Sequence, residues 1–121
     1  MKFELLKKRF AVCALTEPVL PDGEFVSLTM SGGEVSLVCE EEKAPQGCKA
    51  ESGWRALKIM GPLDFSLVGI LADVSSVLAQ AKVSIFAVST YETDYVLIKE
   101  DSLERGLQAL EAMGHTIDRA I

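Results

Sequence analysis

Leu67, Ile70, Leu71, Val74, Val77, Leu78 and Ala81 recur at spacings of three and four, the repeat of one helical face. A stripe this apolar has to be buried, so the segment needs a sheet or a second helix to lie against. Its flanks supply both. Residues 54–60 read as a strand, with Leu57 out of phase, and stop at Gly61-Pro62, a strong breaker pair. Ser66 can accept a hydrogen bond from an orphan amide of the first turn, so the helix is expected over residues 66–81. Residues 83–88 are rich in β-branched and aromatic types on both faces, as in a central strand. Residues 89–94 are polar and turn-like, and residues 95–98 form the returning strand. Asp101, with Glu104 three positions on, resembles a capping box and opens a second helix. The stripe of that helix is Leu103, Leu107, Leu110 and Met113, and Gly114 suits the left-handed position after its end. Residues 116–121 supply a last short strand. The order is strand, helix, strand, strand, helix, strand: an α+β, ferredoxin-like βαββαβ pattern over residues 54–121.

The first half is a thinner copy. Residues 9–15, 25–30 and 35–39 read as strands, the last two joined by a Ser31-Gly32-Gly33-Glu34 turn. The hairpin of residues 25–40 is similar in pattern to that of residues 83–100. Pro18 and Pro21 leave room for a turn of helix at most between the first two strands. Residues 43–53, with Pro45, Gly47 and Gly53, read as a connecting loop or short irregular helix. The expected division is therefore residues 1–53, a ββ-rich abbreviated repeat, and residues 54–121, a complete unit.

Composition excludes several functions. A formal net charge of −6 disfavours a nucleic-acid partner, and the one dense basic run, Lys7-Lys8-Arg9, reads as a solvated strand edge or turn. No stretch approaches the roughly 20 apolar residues of a membrane span, and no signal peptide is evident, so a cytoplasmic location is expected. Cys13, Cys39 and Cys48 are an odd set without metal-motif spacing; the first two read as small buried residues and Cys48 as a loop thiol. His115 is the sole histidine, and there is neither a nucleophile elbow nor a Gly-x-x-x-x-Gly-Lys phosphate loop. Glu40, Glu41 and Glu42 are consecutive and read as a solvated acidic edge. No catalytic residue, metal or cofactor is expected.

The stretch Gly61-Pro62-Leu63-Asp64-Phe65-Ser66-Leu67-Val68-Gly69-Ile70-Leu71, followed by residues 83–98, resembles the ACT family. The run Ser89-Thr90-Tyr91-Glu92-Thr93-Asp94-Tyr95-Val96-Leu97 is its more specific part. The likeness is to the branch found in small bacterial ACT-repeat proteins, aspartate kinases and the arginine-sensing ACT-repeat proteins of animals. It implies an ACT domain preceded by an abbreviated ACT-like repeat. It also implies a non-catalytic regulatory module that pairs, here as a homodimer, and takes an amino-acid ligand at the ACT interface.

A free amino acid needs amides or a cation for its carboxylate and a carboxylate or carbonyls for its ammonium. The start of the first helix offers amides near Phe65, Ser66 and Gly69, and Asp64 offers a carboxylate. The hairpin turn offers Ser89, Thr90, Thr93 and Asp94. Each has a plainer role: Asp64 and Ser66 as helix caps, Gly69 for close packing, Thr93 and Asp94 as ordinary turn residues. The alternative function is a protein-interaction module that keeps the fold without the ligand.

Overall fold

The computed structural model describes residues 1–60 and 69–119. Their elements are β1 (Lys2–Leu15), β2 (Ser27–Ser31), β3 (Glu34–Glu40), a 3-10 turn (Glu41–Lys43), β4 (Lys49–Ile59), α1 (Ile70–Gln80), β5 (Ile85–Ser89), β6 (Asp94–Lys99), α2 (Glu100–Ala112) and β7 (Thr116–Asp118). This is a mixed α+β chain dominated by sheet. It divides into two compact units, Met1–Lys7 with Arg55–Ile121, and Lys8–Trp54.

In the larger unit the strand order is β7-β1-β4-β6-β5. β5 and β6 are antiparallel, with Ile85 opposite Ile98 and Ser89 opposite Asp94. β7 runs parallel to the start of β1, Lys2 opposite Thr116. The expected helical stripes are the buried ones: Val74 and Leu78 on α1, and Leu103, Gly106, Leu107 and Leu110 on α2. They form one core with Phe3, Leu5, Leu57, Ile59, Val96 and Ile98. Burying a Leu, Ile or Phe side chain stabilises by about 1.5–3 kcal/mol, so this cluster dominates the unit's stability. Gly106 lets α2 come close: a Cβ there would stand 3.2 Å from Ile98 Cδ1 and 3.3 Å from Leu78 Cδ2.

Several boundaries differ from the expectation. The first strand begins at Lys2 rather than at residue 9, and Met1–Lys7 belongs with the larger unit. Charges at Lys2, Glu4 and Lys7 obscure a period-two strand whose Phe3 and Leu5 enter the core. α1 starts at Ile70, not at residue 66; Gly69 holds the N-cap position with φ 86° and no side-chain cap bond. α2 starts at Glu100, so Asp101 lies in the first turn rather than at the cap. No side-chain cap bond forms there, and the acidic pair Glu100 and Asp101 complements the helix dipole instead. Met113 is 66% exposed and outside the stripe. Gly114 has φ 92°, the left-handed conformation expected of it.

In the smaller unit β2, β3 and the later part of β1 are neighbours, all antiparallel. Gly32 (φ 52°) and Gly33 (φ 84°) make the two-residue turn between β2 and β3, where both positions need positive φ. Phe10 and Phe25 pack edge to face at 5.7 Å. Residues 16–26 form a strap with no helix or strand. Glu40 holds it: its Oε2 accepts from the Glu24 amide at 2.7 Å, and the side chain is 5% exposed. Glu40 is therefore a buried tether and not part of a solvated edge, because the chain leaves β3 into a 3-10 turn that separates it from Glu41 and Glu42. Lys43 adds an ion pair to Asp22 at 2.6 Å. The segment read as a loop over residues 43–53 becomes strand at Lys49. The left-handed Gly53 (φ 80°) absorbs an irregularity inside β4 and donates to Glu41 Oε2 at 3.4 Å.

Candidate functional site

The β5–β6 turn is built by its own side chains. The Thr90 amide and hydroxyl both donate to the Thr93 carbonyl, at 2.8 and 3.0 Å, and the Thr93 amide donates back to Thr90 Oγ1 at 3.2 Å. Thr93 is buried, and its hydroxyl donates to the carbonyl of Ile59. Ile59 is the last residue of β4, so this bond fixes the turn beside the strand end that leads into residues 61–68. Asp64, Phe65 and Ser66 lie in that stretch, outside the described residues. Gly69, which follows it, is exposed, and among the described residues a Cβ there would meet nothing within 4 Å. The first bond of α1 runs from the Asp73 amide to the Gly69 carbonyl at 2.8 Å.

The expected site residues thus separate by role. Thr90 and Thr93 spend their hydroxyls on the backbone, so they shape the turn rather than present free donors. Ser89 is exposed and Asp94 half-buried, opposite one another where the two strands meet the turn. Residues 83–98 contain Glu92 and Asp94 and no Lys or Arg, a local field that suits a cationic group. The signal for the Ile59 contact was absent from the sequence, since a backbone carbonyl carries no residue identity. Replacing Thr93 with Val removes the hydroxyl and, with it, the bond to that carbonyl. The expected loss is about 1–3 kcal/mol in urea unfolding; a loss under about 0.5 kcal/mol contradicts the tether.

The three thiols, an odd set without motif spacing in the sequence, share one place. Cys13 and Cys39 pack with Ala11 and Leu37, and Cys48 packs against the cluster. The register explains the first two: Ala11 faces Cys39 and Cys13 faces Leu37, so all four share one sheet face. Cys48 Sγ donates to the Pro45 carbonyl at 3.0 Å. Burial, with the neighbouring thiols adding, pushes Cys13 from 9.0 up to about 12, and burial raises Cys39 as well. Protonated, buried thiols are poor nucleophiles. Among the described residues no group of three or more His, Cys, Asp or Glu could hold a metal ion.

The raised Cys13 value has a consequence for stability. Below about pH 9 both folded and unfolded chains keep this proton; between about 9 and 12 only the folded chain does. Stability therefore falls as pH rises through that window. Thermal unfolding in steps from pH 8 to 11 is expected to show a steeper fall for the native sequence than for Cys13→Ala; parallel profiles contradict it.

A family model for the ACT domain matches residues 49–112. The chain belongs to the ACT family. The cytosolic arginine sensor for mTORC1 subunit 1 of Homo sapiens, and that of Bos taurus, are each 30% identical to this ACT chain over 95 residues. The match covers 72% of the chain but 29% of either relative, so the chain spans under a third of their length. A crystal structure of protein Atu0741 from Agrobacterium tumefaciens is similar over 96% of this chain and 90% of that one, with TM-score 0.89 and 31% identity. An aspartate kinase from Synechocystis matches 97% of the ACT chain with 27% of its own, at TM-score 0.70 and 18% identity, a likeness of fold. The α+β ferredoxin-like fold and the family both stand as the sequence implied. No helix of the described residues is long and apolar enough to cross a membrane.

Proposed function

We propose that this ACT chain is a non-catalytic, cytoplasmic regulatory module that binds a free amino acid between the start of α1 and the β5–β6 turn. The observation that carries it is the Thr93–Ile59 hydrogen bond, which holds Ser89 and Asp94 beside the strand end leading into residues 61–68. Asp94 takes the ligand's cationic group; the amides before α1, near Asp64, Phe65, Ser66 and Gly69, take its carboxylate. The acidic turn and the sensor relatives both favour a cationic amino acid of the arginine class. The ligand site is completed in a homodimer, with the smaller unit an abbreviated ACT-like repeat and the larger unit, Met1–Lys7 with Arg55–Ile121, the complete one.

The test is thermal unfolding with each amino acid at millimolar concentration. A ligand at about 100 times its Kd adds about 2.7 kcal/mol, roughly several degrees for a chain this size. Asp94→Ala is expected to abolish that shift while its own midpoint stays within about a degree or two of the parent. A shift that survives Asp94→Ala contradicts the site. The second reading, an interaction module without ligand, draws on the commitment of the Thr90 and Thr93 hydroxyls to the turn. It predicts a flat panel and an intact fold.

A further inference from the structure

The smaller unit carries a cavity of about 540 Å³ between the start of the strap and the segment before β4. That volume is within the usual range for small-ligand sites, about 300–1,000 Å³. Glu17 lines it from the strap and Lys49 from the first residue of β4. Among the described residues neither side chain is in an ion pair or hydrogen bond. Leu15, Val19 and Pro45 give the same cavity apolar walls. The walls are also held before any ligand arrives. The far end of the strap is tied by the Glu24 amide to Glu40, its near end continues directly from β1, and the opposite wall is closed by Cys48 donating to Pro45. Fixed walls reduce the ordering cost of binding.

We propose that this cavity is a second ligand site, for a small zwitterion with an aliphatic body. Glu17 takes the cationic end, Lys49 the anionic end, and the apolar walls the carbon skeleton. A zwitterion is the class that satisfies both charges at once; an anion alone meets the Glu17 carboxylate, and a cation alone meets the Lys49 ammonium. This site is independent of Asp94 and of the reading given above.

Cys48 lines the cavity and is half-buried, which makes it a local reporter. The rate of Cys48 alkylation by iodoacetamide, followed by peptide mass spectrometry, is measured with each of the twenty standard amino acids at 10 mM as probes. At least one aliphatic member is expected to slow alkylation threefold or more. Its N-acetyl and carboxamide derivatives, each short of one charge, are expected to give no protection. Glu17→Gln and Lys49→Gln, both at exposed positions, remove the protection, while Asp94→Ala keeps it. Equal rates across the panel overturn the proposal, as does protection that persists in both Glu17→Gln and Lys49→Gln. Protection lost in Asp94→Ala overturns the independence of the two sites.

Discussion

Leu107→Ala is expected to lower the unfolding free energy by about 3–5 kcal/mol, the cost of a deep Leu-to-Ala truncation. Leu107 is fully buried on α2 and belongs to the cluster formed with Leu78, Ile98 and Phe3. The truncation removes apolar burial and also opens a cavity among side chains from several elements, which cannot all relax toward it. The melting midpoint should fall by roughly 10 °C or more for a chain of this size. Met113→Ala, six positions on and 66% exposed, serves as the control and should change little. A Leu107→Ala variant within about 1 kcal/mol of the parent contradicts the placement of this helix face.

Phe10→Ala in the smaller unit is expected to cost a comparable amount, about 3–5 kcal/mol. The ring is fully buried and meets Phe25 edge to face, at 5.7 Å and 89° between planes. Such a pair adds about 0.5–1.5 kcal/mol beyond the buried area. Phe25→Leu keeps most of the apolar volume and loses the ring contact, so it should cost less than half as much. The smaller unit has no long helix to cover its sheet, which concentrates its stability in this pair and in the Ala11, Cys13, Leu37 and Cys39 cluster. Equal losses for Phe10→Ala and Phe25→Leu would mean that the ring contact, and not burial, sets the cost.

The second half was legible because its signals are periodic. The spacing of Val74 with Leu78 and of Leu103, Leu107 and Leu110 states which helix faces are buried, and the structure buries those faces. What misled were local rules that tertiary structure overrode. Asp101 followed by Glu104 looks like a cap, yet the helix gains one more turn position at Glu100 and leaves Asp101 inside. Three successive glutamates look solvated, yet Glu40 is buried because the strap's Glu24 amide needs an acceptor. Residues 2–8 look too charged for a strand, although Phe3 and Leu5 alternate as a strand requires. At the candidate site, the sequence singled out the polar turn for its hydroxyls and carboxylate. It gave no means of knowing that Thr93 reaches a carbonyl 34 residues away, or that Thr90 folds its hydroxyl back onto the turn. The thiol cluster was invisible for a similar reason: Cys13 and Cys39 meet only through the β1–β3 register, and Cys48 packs against them from the segment before β4.

The most direct test of the ligand reading is a backbone amide NMR titration with arginine, followed by the remaining standard amino acids. One of them is expected to shift saturably the amides of Ser89, Thr90, Thr93, Asp94 and Gly69. The amides of residues 14–17, 19 and 46–49 should report separately on the second cavity. Amides at the turn that stay unmoved by every amino acid, in a protein whose spectrum is otherwise well dispersed, would contradict it.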